Sequence, residues 1–125
     1  MPLTEVGRFR DKKGRIPISE WLDDLKVHRS KIYAKCLAWI SELAMKGNQL
    51  RRPFGEHLEN GIYELRVKFG TQNYRMLYFF HGSNIAVLTH GFTKEDVVPP
   101  KEITFEKQCR VLVKENASKH TVDWS

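Results

Sequence analysis

The chain has 125 residues, of which 41% are hydrophobic and 29% charged, so it is too apolar for a disordered protein and long enough for one domain with a real core. Its formal net charge of +6 indicates attraction to polyanions such as nucleic acid, although a basic composition also serves solubility alone. The two cysteines form no CxxC pair and no Cys/His cluster, which argues against a zinc site and a disulfide framework. The sequence has no apolar signal core and no apolar run of membrane-spanning length, so we expect a cytoplasmic protein that uses no metal and no cofactor.

The first part of the chain predicts a strand and two helices. Weak alternation from Leu3 to Arg10 favours a short edge strand that ends at the charged turn DKKGR. Pro17 introduces ISEWLDDLKVHR, in which apolar residues recur at helical spacing, with acids early and cations late. Ser30 can cap a second helix, which has a cleaner apolar stripe and ends at Gly47. Because the two helices are so close in sequence, we expect a hairpin packed on a sheet.

The middle of the chain predicts a linker followed by three strands. GNQLRRPFGEHLEN is interpreted as the linker, because Pro53 and Gly55 interrupt it. The first strand, Tyr63 to Phe69, alternates apolar and polar residues, whereas Tyr74 to Phe80 is apolar on both faces and predicts a central strand. Ile85 to Phe92 completes an antiparallel meander, because the turns GTQN and HGSN are short.

The chain ends with a predicted helix and a polar tail. Pro99 and Pro100 suit the first turn of that helix. Its expected buried side consists of Ile103, Phe105, Cys109, Leu112 and Val113. We therefore expect a single domain over residues 1–115 and a frayed polar tail over residues 116–125.

Two arginines lie inside the most strand-like part of the chain. Alternation puts Arg66 on the polar face of the first meander strand, and Arg75 begins the next strand, so the two can approach each other. Burying a cation without a partner is costly, so the arrangement needs an anion. In one interpretation Glu56, Glu59 or Glu64 pairs with one arginine, and the other is solvated. We favour a phosphate held by both, because guanidinium donors match phosphate oxygens and no acid is adjacent to Arg75 in sequence.

Other side chains of this region are candidates for the same site. Lys68 and Lys94 add positive charge, and His57, in the loop that enters the sheet, is free to reach a substrate. Tyr78 can stack an RNA base if its sheet face is open, although a core position is the simpler interpretation.

Neither His90 nor a familiar motif indicates other chemistry. His90 is interpreted as a satisfied core residue that shares a strand face with Leu88 and Phe92. The sequence contains no phosphate-cradling GxGxxG or P-loop, no HExxH and no GxSxG elbow.

The stretch GIYELRVKFGTQNYRMLYFFHGSNIAVLTHGFTKEDVVPPKEI closely resembles the RelE/HigB toxin superfamily, in particular its phage-derived HigB-like branch. That branch has the pattern G-x-Y-E-L-R, a glycine turn, Y-R-x-L-Y-F-F and an apolar strand ending H-G-F-x-K. The upstream helix pair and PISEWL fit as well, so the resemblance covers residue 3 to about residue 115. It implies an α+β fold of order β-α-α-β-β-β-α, an antiparallel meander packed by an N-terminal helix hairpin and a C-terminal helix.

The resemblance also implies a function and assigns residues to it. It implies the toxin of a toxin–antitoxin pair, which cleaves mRNA on the ribosome and is bound by a small helix-turn-helix antitoxin protein. Arg75 in YRMLY matches the arginine that contacts the scissile phosphate, and Arg66 in YELR matches a recurrent arginine of the preceding strand. Lys94 in GFTK matches the first lysine after the last strand. The branch often has a second lysine next, and Glu95 in its place weakens the local positive field.

Metal-free RNA cleavage needs a base for the ribose 2′-hydroxyl, stabilisation of the extra negative charge and an acid for the leaving oxygen. Arginine suits only the second task, which we assign to Arg75 with support from Arg66. Lys94, His57 and Glu95 are the candidates for the acid and the base.

The alternative function is that of an inactive phage-derived module, which keeps the fold and binds RNA or an antitoxin without cutting. Two arginines that converge on an open pocket with a titratable neighbour would favour the enzyme. Arginines capped by carboxylates would favour the module.

Overall fold

The computed structural model describes residues 4–94 and 98–124, with the backbone alone described for residue 94. In chain order, the elements of these residues are β1 (Glu5–Phe9), α1 (Pro17–His28), α2 (Ser30–Lys46), a 3₁₀ turn (Gly47–Gln49), β2 (Gly55–Glu59), β3 (Ile62–Phe69), β4 (Gln72–His81), β5 (Ile85–Lys94), α3 (Pro100–Glu115), α4 (Ala117–His120) and β6 (Thr121–Asp123). The α+β class is confirmed, whereas the predicted order β-α-α-β-β-β-α is matched only in part.

The strands form one mixed sheet of order β2-β3-β4-β5-β1-β6. All neighbouring strands are antiparallel except β1 and β5, which are parallel. The predicted meander is therefore present as β3, β4 and β5. The expectation that the first strand lies at an edge was wrong, because β1 has β5 on one side and β6 on the other.

The predicted linker contains a strand. Pro53 lies before β2, and Gly55 is the first residue of that strand. β2 then turns into β3 through Asn60 and Gly61, whose φ angles are 46° and 79°. Positive φ at both central residues is the requirement of a tight hairpin turn, and Asn-Gly is the dipeptide that meets it most easily. The Asn-Gly pair was thus the overlooked signal for a fourth antiparallel strand next to β3.

The tail that was expected to be frayed contains the helix α4 and the strand β6. The side chain of Asn116 accepts a hydrogen bond from the Lys119 backbone N–H at 3.2 Å, which caps the short helix α4. His120 is buried, pairs through Nδ1 with the carbonyl oxygen of Arg10 at 2.8 Å, and stacks on Phe9 with 6.0 Å between the ring centroids. These contacts position β6 beside β1.

Helices cover the two faces of the sheet with different cores. The α1–α2 hairpin covers one face, and the buried strand residues there are Leu65, Val67, Tyr74, Met76, Tyr78, Ala86 and Leu88. Helix α3 covers part of the other face, where Cys109 and Val113 pack against Phe79 and Val87. Alternation along the strands thus sends neighbouring residues of β3 and β4 to opposite cores.

Candidate functional site

Arg66 of β3 and Arg75 of β4 are direct cross-strand partners. Residues opposite each other in an antiparallel pair share a face, with Cβ atoms about 4.5–5.5 Å apart. The face is the one that α3 partly covers, since Phe79 lies four residues along β4 from Arg75 and packs against α3. The register therefore brings the two predicted arginines together at the end of the sheet face beside α3.

Arg75 has a carboxylate partner that its sequence neighbours did not indicate. Its Nη1 donates to Oε1 and Oε2 of Glu64 at 2.8 and 2.6 Å. Only 4% of the Arg75 side chain and 1% of the Glu64 side chain are exposed. No acid is adjacent to Arg75 in sequence, but the inference that it lacks a carboxylate partner was wrong. Glu64, one of the acids named in the alternative interpretation, is two residues from Arg66 on β3 and is therefore the diagonal cross-strand neighbour of Arg75.

Arg66 is the more accessible of the two arginines, with 32% of its side chain exposed. Its Nη2 donates to Oε2 of Glu56 at 2.7 Å, and its Nε lies 3.4 Å from Oε1 of Glu64. The other oxygen of Glu56 accepts from Arg52, whose side chain is 74% exposed. The hydrogen bond from Arg52 and the charges of Arg52, Arg66 and Arg75 lower the pKa of Glu56, against a smaller opposing effect of burial.

These side chains border a cavity of about 310 Å³ on the α3 side of the sheet. Glu56, Glu59, Glu64, Arg66 and Arg75 supply its charged wall, and Ile103 of α3 lies on the apolar side. Arg66 is the partly exposed guanidinium of this wall. Chemically, the arrangement can bind a phosphate if that phosphate displaces Glu56 from Arg66.

His57 and Tyr78 are not part of this cluster. His57 pairs with Tyr63 across β2 and β3, one position along from the Glu56–Glu64 pair, so it faces the side of the α1–α2 hairpin. Its Nε2 accepts the Gly61 backbone N–H at 3.2 Å, and its ring lies edge-on to Tyr63. Tyr78 is 1% exposed within the hairpin core, and burial raises the pKa of its hydroxyl. Neither position supports the predicted role, because both side chains lie across the sheet from the arginines.

The two predicted lysines, Lys68 and Lys94, lie at positions that both pair with Asn73 of β4. Lys68 follows Arg66 by two residues, is exposed, and pairs with Asn73 of β4. The backbone of Lys94 pairs with Asn73 from the other side, next to the Arg75–Phe92 pair. Glu95 lies outside the described residues, so its predicted role stays a prediction.

A second polar cluster lies next to the arginines and was overlooked. The Nε2 of His90 is 3.1 Å from Oε1 of Glu102, and its Nδ1 is 3.0 Å from Oγ1 of Thr89. Thr89 in turn bonds to Glu106, a fully buried residue of α3. The other carboxylate oxygen of Glu106 has no hydrogen-bond partner among residues 4–94 and 98–124.

Burial shifts two pKa values in this second cluster. It raises the pKa of Glu106 to about 8, against the hydrogen bond with Thr89 and the charge of Arg110. It also lowers the pKa of His90, against the charge of Glu102 and the hydrogen bond between the two. At neutral pH Glu106 is therefore mostly protonated, and His90 is mostly neutral.

His90 is buried and shares a face with Phe92, as predicted, but Leu88 lies on the opposite face. The register of β4 and β5 shifts by one residue, so that Leu77 pairs with His90 while the next residue, Tyr78, pairs with Leu88. Thr89 is the extra residue of this β-bulge. Leu88 thus packs in the hairpin core, whereas His90 contacts Phe105 of α3, with 4.8 Å between the ring centroids.

Residues 20–108 match the family model described as Phage derived protein Gp49-like (DUF891), which is more than half of the chain. The chain belongs to this family. A comparison with curated proteins gave no match.

The matched part of the Gp49-like chain includes both clusters, from Glu56 on β2 to Glu106 on α3. Two sequence signals could have located the second cluster. Glu106 lies three residues from both Ile103 and Cys109, within the apolar stripe of α3, where an acid needs a partner. Glu102 precedes it by four residues and therefore shares its helix face.

No helix in the described ranges of this Gp49-like protein is both long enough and apolar enough to cross a membrane.

Proposed function

We propose that this chain is the toxin component of a toxin–antitoxin system and cleaves mRNA, as the toxins of the RelE/HigB superfamily do. The family to which it belongs is associated with such toxins. The observation that carries the proposal is the cross-strand pair of Arg66 and Arg75 beside the cavity of about 310 Å³. Two adjacent guanidinium groups place positive charge on one face, and the planar donors of the more exposed one, Arg66, match the oxygens of a phosphate.

The two arginines have different tasks in this proposal. Arg66 binds the scissile phosphate, because its partner Glu56 is partly exposed and an ion pair in contact with water is weak enough to exchange. Arg75 stays with Glu64, since separating a buried ion pair leaves an uncompensated charge. The buried pair holds the strand position from which Arg66 points, and Arg75 adds positive potential behind the phosphate.

The reaction is an attack of the ribose 2′-hydroxyl on the adjacent phosphate, and the 2′-hydroxyl requirement selects RNA over DNA. Arg66 stabilises the negative charge that develops on the phosphoryl oxygens. Lys68, exposed two residues further along β3, extends the positive surface for the RNA backbone. The ribosome presents the mRNA, and a small antitoxin with a helix-turn-helix domain is the inhibitory partner.

The test is an in vitro translation reaction to which the purified chain is added, with mRNA ends mapped by primer extension. We expect new cuts that require ribosomes. Arg66→Ala reduces the cleavage rate about 100- to 1,000-fold, the usual effect of removing one donor to a developing oxyanion. Arg66 is a better test position than Arg75, because replacing Arg75 leaves Glu64 buried without its partner.

Arg52→Ala is the matched control. It removes an arginine from the same carboxylate, Glu56, but Arg52 is mostly exposed and does not border the cavity. We expect Arg52→Ala to cleave like the original chain. Intact mRNA and uninhibited translation at micromolar protein would disprove the nuclease proposal.

A second candidate, the inactive binding module, is favoured by one observation. Both arginines are capped by carboxylates, Arg75 by Glu64 and Arg66 by Glu56. On this hypothesis the pairs are structural, and the chain binds RNA or an antitoxin without cutting. The module would be established if the protein bound RNA at the ribosome, left the mRNA ends unchanged, and bound equally well as the Arg66→Ala variant.

A further inference from the structure

The clusters around the arginines and around His90 lie in adjacent rows of the same sheet face. Glu56, Glu64, Leu77 and His90 occupy one continuous row of cross-strand pairs from β2 to β5. Arg66, Arg75 and Phe92 occupy the next row on that face. His90 is therefore the diagonal neighbour of Arg75, a relation that separates residues by roughly 7–8 Å.

Glu102 is the outermost member of the His90 cluster. Its side chain is 18% exposed, against 11% for His90 and 0% for Glu106. It lies in the first turn of α3, next to Ile103, which borders the arginine cavity. Of the two carboxylates near His90, Glu102 is thus the more exposed, and it is adjacent in sequence to a residue that lines the cavity.

Thr89 and His90 link the sheet to the two carboxylates of α3. The Thr89 hydroxyl can donate to Oε1 of Glu106 or to the carbonyl oxygen of Leu77 at 3.3 Å. Nδ1 of His90 lies 3.0 Å from Oγ1 of Thr89, and its Nε2 lies 3.1 Å from Oε1 of Glu102. With its proton on Nε2, His90 donates to Glu102 and orients that carboxylate.

We propose that Glu102 accepts the 2′-hydroxyl proton in the RNA cleavage proposed above, with His90 as the positioning residue that orients its carboxylate. This inference rests on the proposed function and identifies its base. The 2′-oxygen forms a bond to phosphorus as its proton moves to Glu102. The bond from phosphorus to the 5′-oxygen breaks, the 5′-oxygen takes a proton from water, and the products are a 2′,3′-cyclic phosphate and a 5′-hydroxyl.

The charged and titratable groups that face this pair come from two sides. From α3, Glu106 lies 3.9 Å from Nδ1 of His90, and the charge of Arg110 acts on Glu106. From the sheet, Arg75 is the nearest cation by register. Arg75 is itself paired with the buried carboxylate of Glu64.

The experiment measures single-turnover cleavage by the full chain on ribosomes programmed with a defined mRNA. Glu102→Gln lowers the rate by at least about 100-fold, because the amide cannot take the proton. Glu115→Gln, which removes an exposed carboxylate at the end of the same helix, leaves the rate unchanged.

Variants of His90 separate positioning from simple loss of structure. His90→Leu removes the donor to Glu102 and is expected to lower the cleavage rate. His90→Gln keeps an N–H at a similar reach and is expected to restore most of that rate. A purely structural role would lower the rate equally in both variants, and that result would overturn the inference.

Binding of an RNA with a 2′-deoxy substitution at the cleaved position is measured for each variant by fluorescence anisotropy, and we expect it to be unchanged. Cleavage that needs Arg66 but survives Glu102→Gln would overturn the assignment of the base and leave the proposed function in place. Absence of cleavage by the original chain would overturn the proposed function itself.

Discussion

Strands β3 and β4 contribute to two very different environments, one on each face of the sheet. Towards the α1–α2 hairpin they present Leu65, Val67, Met76 and Tyr78, all buried in an apolar core. Towards α3 the same strands present Glu64, Arg66 and Arg75, of which Glu64 and Arg75 are buried as an ion pair. Neighbouring positions of one strand therefore lie in opposite environments, one apolar and one charged.

The two faces contribute differently to the free energy of unfolding. Apolar side chains of the hairpin face contribute by leaving water and need no specific partner. A buried ion pair often contributes no more than well-packed apolar residues of similar size, because desolvation offsets the attraction between the charges. Paired charges on the α3 face therefore add little to stability as a whole, which favours a functional reason for them.

Arg75→Ala is expected to have the largest effect. It leaves Glu64 buried without its partner, so the free energy of unfolding falls by about 3–5 kcal/mol. Urea denaturation followed by circular dichroism measures it. Met76→Ala, the adjacent position on the apolar face, is expected to cost about 2–5 kcal/mol through the cavity that it creates.

A second substitution at Glu64 distinguishes these two losses. Glu64→Leu combined with Arg75→Met removes both charges and restores most of the stability that Arg75→Ala loses. Glu64→Leu combined with Met76→Ala brings no such recovery. If Arg75→Ala lowered the free energy of unfolding no more than a surface substitution does, Glu64 would not depend on Arg75 as its buried partner.

Glu106→Gln is expected to have an intermediate effect, on the pH dependence of the free energy of unfolding. The pKa of Glu106 is raised from 4.5 to about 8 in the folded chain. As pH rises, the unfolded chain therefore loses this proton at a lower pH than the folded chain does. The contribution of Glu106 to stability is therefore complete below about pH 4.5, falls as pH rises, and is lost above about pH 8.

His90 acts in the opposite direction at lower pH, because its lowered pKa favours the neutral ring and its contribution is lost as pH falls below 6.5. The window from pH 6.5 to pH 8 thus isolates Glu106. There we expect the free energy of unfolding to fall by about 2 kcal/mol, and Glu106→Gln to flatten that slope. An unchanged slope in the variant would show that Glu106 is not the group that titrates.

Alternation along β3 and the short turns of the meander were enough to predict much of the sheet. They placed Arg66 and Arg75 near each other, because a tight hairpin leaves few possible registers. The Asn60–Gly61 turn was equally local, but the breakers Pro53 and Gly55 hid the strand β2 that precedes it. The pairing of β6 with β1 could not be predicted, since it joins residues more than 100 positions apart.

The candidate site was less predictable because its partners are distant in sequence. Glu64 reaches Arg75 only through the diagonal geometry of two strands. The bulge at Thr89 puts His90 and Leu88 on opposite faces, and period-two alternation does not indicate a single extra residue. The approach of Glu102 to His90 depends on how α3 lies on the sheet, which no local pattern specifies.

Lys68 and His57 provide the smallest expected effects and the most direct comparison of the two faces. Lys68 lies on the arginine side, two positions from Arg66, whereas His57 lies on the hairpin side. Lys68→Ala is expected to weaken binding of the 2′-deoxy-substituted RNA and to reduce the slope of log affinity against log salt by about 0.7–0.9, the value for one lost phosphate contact. His57→Ala is expected to leave both quantities unchanged, and fluorescence anisotropy over a series of KCl concentrations measures them. Equal slopes for the two variants would mean that the RNA does not distinguish the faces, and the α3 face would no longer be the preferred surface for it.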